Sequence, residues 1–210
     1  MKLHFYPKRH RIFAIHVDMP CSFDELLTEL ESIKWVSPGS LNPLGMDLWN
    51  AERGKCMTMT SRTPNLLQMQ QFLSSDDTKE QIIDVMHEHI PDLAWEYNFD
   101  RQRMFDHTNL HAELTRDSAG FVNVLHTDFR LLTATGMVYL MPEDSEDLST
   151  MFYDSADRTN PLRMTTNFGD GWWHANGNNT YHEGWNRSGQ YRYSFLLGLT
   201  LNVVPITTKA

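Results

Sequence analysis

The second half of the chain is a series of short apolar or alternating segments separated by turn residues. Segments of this length and spacing are typical of strands in a β-sandwich or barrel, and eight of them leave few other folds open. The predicted strands are residues 110–115, 121–126, 132–141, 150–153, 163–168, 172–174, 180–182 and 190–204. The pattern therefore predicts a jelly roll, in which two sheets face each other.

The first half of the chain carries helix signals instead. After a β-rich segment at 11–17, Ser22 and Glu25 have the spacing of a capping box. The three predicted helices span residues 22–34, 63–73 and 78–89, with Thr63 as the cap of the second and Asp76 or Asp77 as the cap of the third. We therefore predict one α+β domain over 1–210. Residues 1–108 would form a mostly helical support on one face of a jelly-roll core at 109–204.

The charge and the cysteine content limit which binding partners and which cellular compartment we expect for this chain. The 210 residues include 18 Lys and Arg against 27 Asp and Glu, a formal net charge of -9. Such a chain has no overall positive field to attract nucleic acid or anionic lipid. Two cysteines are too few for a disulfide scaffold, and no segment reaches the roughly 18 apolar residues of a membrane span. We expect no nucleic-acid partner, no membrane association and a cytoplasmic location.

A histidine and an aspartate stand two residues apart where the second predicted strand ends, at His126 and Asp128. Residues i and i+2 of a strand project from the same face, so the imidazole and the carboxylate converge. His182, at the end of a late strand, is a candidate third ligand. Two histidines and one carboxylate form the facial triad of non-haem Fe(II) oxygenases, which leaves open positions on the metal. The sequence therefore predicts a metal site at these three residues.

The last predicted strand alternates Arg192 and Ser194 with the aromatic residues Tyr191, Tyr193 and Phe195. In a ligand-holding barrel, the guanidinium and the hydroxyl would point inward and could hold the far end of a dicarboxylate. The alternative is an ordinary edge strand with Arg192 in solvent.

Taken together, these residues resemble the Fe(II)/2-oxoglutarate-dependent dioxygenase superfamily, whose pattern is H-x-D/E, a distal histidine and a basic residue about ten positions later. The resemblance covers about residues 109–203. The segments 135–140 and 149–153 look most like the small prolyl-hydroxylase-like group. Leu148 and Ser149 stand where that group usually has two glycines, and Arg192 stands where it usually has lysine.

The resemblance implies a fold, a reaction and a set of site residues. The fold would be the double-stranded β-helix, which is the superfamily's form of the jelly roll. An iron-dependent hydroxylase would use O2 and 2-oxoglutarate, release succinate, and act on a small molecule, an amino acid or a prolyl-type peptide. The site residues implied are His126, Asp128 and His182 for the metal and catalysis, and Arg192, Ser194 and Tyr139 for the cosubstrate. Neither the substrate nor the oligomeric state follows from the sequence.

Two other functions fit the same residues. One is a cupin-like metal enzyme that needs no cosubstrate and therefore no Arg192. The other is a jelly-roll module that binds carbohydrate without catalysis. In that module, Trp172 or Trp185 would stack on the sugar, and His126 and His182 would be structural.

Overall fold

Twelve strands in two antiparallel sheets form the core of a computed structural model, which describes residues 1–36, 53–56, 62–90, 100–128, 132–177 and 180–202. The strands are β1 Leu3–Arg9, β2 Ile12–Val17, β3 Trp35–Val36, β4 Arg53–Cys56, β5 Thr108–Asp117, β6 Val122–His126, β7 Leu132–Tyr139, β8 Thr150–Tyr153, β9 Leu162–Met164, β10 Asp170–Ala175, β11 Tyr181–Trp185 and β12 Arg192–Leu201. The larger sheet has the order β1-β2-β10-β7-β12-β5-β4-β3, and the smaller has the order β6-β11-β8-β9.

Two apolar cores lie on opposite faces of the larger sheet. The inner core fills the space between the sheets and includes Tyr139 on β7, Phe152 on β8 and Trp172 on β10. The outer core packs that sheet against four described helices, which are α1 Phe23–Ser32, α2 Pro64–Leu73, α3 Asp76–His89 and α4 Arg101–His107. The predicted α+β fold, a jelly roll with N-terminal helices on one face, is therefore confirmed.

All eight strands predicted in the second half are present, with ends that differ by a few residues. Four described strands and helices were not predicted, namely β1, β3, β4 and α4. β1 lies at an edge of the larger sheet, where several of its residues are half-buried or exposed and its hydrophobic signal is correspondingly weak. α4 has only seven residues, too few to show a helical period. Since β1 and β2 join the same sheet as the core strands, the division at residue 108 stays a prediction.

The helix caps differ in part from those predicted. The capping box of Ser22 and Glu25 is present at α1. Thr63 precedes α2 but makes no side-chain cap hydrogen bond, and α3 is capped by Ser75 rather than by either predicted aspartate.

The N-terminus of α2 is stabilised from α1. The buried carboxylate of Glu29 accepts hydrogen bonds from the backbone N–H groups of Asn65 and Leu66, both at 3.0 Å. A carboxylate is favoured at a helix N-terminus because it pairs with otherwise unsatisfied N–H groups. This contact ties α1 to α2 and so orders the outer core.

Glycines allow β7 and β10 to approach closely. A Cβ atom added at Gly171 on β10 would lie 1.9 Å from the carbonyl oxygen of Met137, and one at Gly136 on β7 would lie 2.4 Å from Cε3 of Trp173. Because neighbouring residues of a strand point to opposite faces, Trp173 of β10 lies in the outer core and Trp172 lies in the inner one. In the part of the chain that the structure describes, no helix combines the length and the apolar character needed to cross a bilayer.

Candidate metal centre

The pairing of β6 with β11 brings the two predicted histidine ligands together. Their register sets His126 directly opposite His182, with the ring centroids 4.3 Å apart. Asp128 lies just beyond β6, and its Oδ1 is 3.3 Å from Nε2 of His126 and 3.7 Å from Nε2 of His182. Ligand atoms of the three residues all lie within 4.8 Å of one another. The structure thus brings His126 and Asp128 together, as their spacing predicted, and adds the candidate third ligand His182.

Backbone carbonyls orient both imidazoles. Nδ1 of His126 is 2.7 Å from the carbonyl oxygen of Val124, and Nδ1 of His182 is 3.1 Å from that of Thr180. A carbonyl can only accept, so each Nδ1 carries a hydrogen and donates it. In the neutral ring, Nε2 then keeps its lone pair, which is the form that binds a metal ion.

The protonation states favour a cation at the centre. Burial lowers the pKa of His182 to about 3, so this ring is neutral near pH 7. Burial would raise the pKa of Asp128, but its close contacts with the imidazoles of His126 and His174 outweigh burial and hold the pKa well below its usual range. An ionised carboxylate and an unprotonated Nε2 therefore face each other across 3.7 Å. A divalent metal ion between them would remove the repulsion, and the donor set fits one.

A third histidine, His174 on β10, also contacts Asp128, and sequence reasoning missed it. Its Nε2 lies 3.1 Å from Oδ2 of Asp128, and the side chain is fully buried. Its Nδ1 has no hydrogen-bond partner among the described residues. Because the carboxylate is ionised, Nε2 is the donor and His174 holds the oxygen that faces away from the other two histidines. The alternation in strand 172–174, which places Trp172 and His174 on one face, was the available signal.

Aromatic rings line the interior next to the metal centre. The ring centroid of Phe152 lies 5.2 Å from that of His182 and 5.2 Å from that of Trp172. The indole Nε1 of Trp172 donates a hydrogen bond to the hydroxyl of Tyr139 at 3.1 Å. These rings form a continuous wall from the metal centre to Tyr139.

Tyr139, the predicted donor to the cosubstrate, already has protein partners. It is fully buried, and its hydroxyl shares a 2.6 Å hydrogen bond with Oγ1 of Thr150 besides accepting from Trp172. Burial raises the pKa of the phenol, so it stays protonated near pH 7. Its role as a donor to the cosubstrate stays a prediction.

Arg192 and Ser194 are buried, which excludes the alternative with Arg192 in solvent. Nε and Nη2 of Arg192 donate to Oδ2 of Asp117 at 3.0 and 2.6 Å. Nη1 donates to the carbonyl oxygens of Leu148 and Trp185 at 3.1 and 3.2 Å. Oγ of Ser194 lies 3.0 Å from Oγ1 of a β5 residue, Thr115. Asp117 was expected in a turn and is instead the buried last residue of β5.

No protein-family model matches the sequence, and no curated protein matches it. Solved structures do match. A prolyl hydroxylase from Trichoplax adhaerens, in complex with a peptide fragment of the hypoxia inducible factor oxygen degradation domain, has a TM-score of 0.60 at 10% identity, covering 91% of this chain and 84% of that one. A putative oxygenase from Shewanella oneidensis has a TM-score of 0.56 at 11% identity, covering 91% and 82%.

A third match, HygX from Streptomyces hygroscopicus with nickel and 2-oxoglutarate bound, has a TM-score of 0.52 at 12% identity, covering 92% of this chain and 84% of that one. The chain has the fold of these oxygenases. The likeness to prolyl hydroxylases that the sequence predicted is therefore confirmed for the fold.

The structure of HygX contains both a metal ion and 2-oxoglutarate, and the residues of this chain differ in how well they would fit the two. For the metal ion, the two histidines and Asp128 present suitable donors. For 2-oxoglutarate, Arg192 is a buried cation of the kind that binds a carboxylate, but Asp117 already pairs with it. The charge that would attract the distal carboxylate is thus offset by the protein itself.

Proposed function

We propose that this chain is a non-haem Fe(II)- and 2-oxoglutarate-dependent oxygenase that hydroxylates its substrate. One observation carries the proposal: the unprotonated Nε2 of His182 faces the ionised Asp128 across 3.7 Å, beside His126, inside a fold shared with such oxygenases. Iron bound there would supply the chemistry of O2 activation, coupled to decarboxylation of 2-oxoglutarate to succinate.

The protein's own residues hold and enclose the centre. His126, Asp128 and His182 would bind the metal on one side and leave the other side for cosubstrate and O2. His174 keeps the carboxylate in place through its second oxygen. Phe152 and the neighbouring indole form an apolar wall on the inner side of the centre.

The proposed substrate is a small molecule, an amino acid or a prolyl-type peptide. A peptide is supported by the Trichoplax adhaerens prolyl hydroxylase, whose structure contains a peptide fragment.

An anaerobic titration of the metal-free protein with Fe(II) and 2-oxoglutarate tests the function. We expect the visible charge-transfer band of the iron chelate in the native protein and its loss in His126→Ala and Asp128→Ala. His4→Ala is the matched control, because it removes a histidine whose Nε2 lies 3.3 Å from a carboxylate oxygen, that of Asp18, on the edge strand β1. A native protein without the band, or a band that survives in His126→Ala, would contradict the proposal.

The same titration separates the alternatives. Metal binding without the band would favour a cupin-like enzyme that needs no cosubstrate. A carbohydrate-binding module predicts no metal binding at all. Of the two candidate sugar-stacking tryptophans, Trp172 is buried and could not stack on a sugar from solvent, whereas Trp185 is partly exposed.

A further inference from the structure

Asp117 and Arg192 form a buried ion pair at the distal end of the proposed cosubstrate site. They are register partners on β5 and β12, and neither side chain is more than 1% exposed. Asp117 receives two hydrogen bonds from the guanidinium, and two backbone carbonyls receive two more. Four of the five N–H groups that an arginine side chain carries are thus engaged within the protein.

The pair is buried, and two aromatic rings flank the guanidinium. Cζ of Arg192 lies 5.3 Å from the ring centroid of Phe121 and 6.0 Å from that of Tyr139. In such surroundings charges interact strongly, and a carboxylate is bound tightly only when an unpaired cation faces it. With Asp117 in place the net charge of the pair is zero, so a second carboxylate gains little from Arg192.

The fold at this position does not depend on the Asp117 side chain alone. The backbone carbonyl of Asp117 accepts a hydrogen bond from Nδ2 of Asn186 at 2.9 Å, and β5 pairs along its length with β12. An asparagine has the same shape as aspartate and keeps an oxygen that can accept from the guanidinium. The charge of Asp117 can therefore be removed with little change in packing.

We propose that Asp117 determines cosubstrate specificity: it cancels the charge with which Arg192 would select a dicarboxylate, so the site accepts 2-oxo acids with an uncharged distal end alongside 2-oxoglutarate. This inference rests on the proposed function. It names the chemical class of the cosubstrate, a 2-oxo acid whose first carboxylate and keto group chelate the metal and whose far end need carry no charge.

Two acids that differ only at the far end test the proposal. 2-Oxoglutarate and 2-oxopentanoate share a five-carbon chain, and the second has a methyl group where the first has its distal carboxylate. We would measure the Kd of each from the charge-transfer band, with Fe(II) and without O2, in the native protein and in Asp117→Asn. The ratio of the two Kd values cancels any effect of the variant on the metal itself.

We expect the native protein to bind the two acids with similar Kd values. Asp117→Asn should prefer 2-oxoglutarate by about ten- to a hundredfold, because a hydrogen bond to a charged group typically changes affinity by that factor. Asp144→Asn is the matched control, since it removes the carboxylate of another Asp–Arg pair, whose partner is Arg163 on β9, and it should leave the ratio unchanged.

A native preference for 2-oxoglutarate of tenfold or more would overturn the proposal, and this result needs no variant. So would an unchanged ratio in Asp117→Asn. If neither acid gives a band although the native protein binds iron, the proposed function fails together with the inference. A band with both acids and no effect of Asp117 defeats the inference alone.

Discussion

The two oxygens of the Asp128 carboxylate have different partners. Oδ1 faces His126 and His182, whereas Oδ2 lies 3.1 Å from Nε2 of His174. A carboxylate held at one oxygen cannot rotate about its Cβ–Cγ bond, so the other oxygen keeps its direction toward the metal position. We therefore regard His174 as a positioning residue, because it acts on the centre through Asp128.

Replacement of His174 should weaken metal binding without removing a ligand. In His174→Phe we expect the affinity for Fe(II) to fall by about ten- to a hundredfold, as is usual when the hydrogen-bond partner of a ligand is lost. His174→Gln keeps an N–H donor and should recover part of the loss. Anaerobic calorimetric titration measures both variants.

The matched control is His16→Phe, which removes a histidine hydrogen-bonded to Asp170 at 2.9 Å on the edge side of the same sheet. Its metal affinity should equal the native value. Equal affinities in the native protein and His174→Phe would show that His174 does not position the carboxylate.

The ligands that were predicted and the residues that were missed differ in one respect, which is how far along the sequence each lies from the residue it contacts. His126 and Asp128 are two positions apart, so strand geometry alone predicts that they converge. His174 contacts a residue 46 positions away, and Asp117 contacts one 75 positions away. Such contacts depend on the order of strands in the sheet, which spacing within one strand does not reveal.

At the scale of elements, β10 connects the site to the outer core. It lies between β2 and β7, carries Trp172 and His174 on its inner face, and carries Trp173 toward the helices. Its pairing with β7 is close because Gly171 has no side chain to meet the carbonyl of Met137.

Gly171→Ala should destabilise the protein. The added methyl group would lie 1.9 Å from a backbone oxygen, so the β7–β10 pairing must move. We expect a loss of about 1–3 kcal/mol or more in the free energy of unfolding. Gly189→Ala, where an added Cβ has no atom within 4 Å, should change it by less than about 0.5 kcal/mol. Urea unfolding compares the two variants, and equal losses would contradict this account of the pairing.

The strands of the jelly roll could be predicted because each carries its own signal of short length, alternation and flanking turn residues. β8 was predicted with the same ends that the structure shows, Thr150–Tyr153. The cap of α2 could not be predicted in this way, since Glu29 reaches it from another helix, 36 positions earlier than Asn65. Local pattern thus predicts elements well and the contacts between them poorly.

At the scale of the whole molecule, the proposed metal centre lies where the two sheets meet. His126 and His182 come from the smaller sheet, whereas His174 extends from the larger one to the same aspartate. A metal ion held by Asp128 would therefore connect the two sheets through side chains. Binding should stabilise the whole domain rather than one strand pair.

Iron should raise the melting temperature. At a concentration a hundredfold above Kd, a ligand that binds only the folded state adds about 2.7 kcal/mol. In a chain of 210 residues this corresponds to a rise of roughly 5–11 °C. Anaerobic thermal unfolding with Fe(II), then with excess chelator, measures the rise and its reversal. Asp128→Ala should show no rise. If Fe(II) does not change the melting temperature of the native protein, the predicted site is contradicted.

The main-chain hydrogen bonds of the two ligand rings affect how the centre tolerates mutation. His126 and His182 each donate to a carbonyl of the residue two positions earlier, Val124 or Thr180. Because a carbonyl belongs to every residue type, no side-chain substitution at those two positions deletes the acceptor. Sequences can therefore diverge widely around these histidines while the rings keep the same tautomer and direction, provided that both strands continue to form.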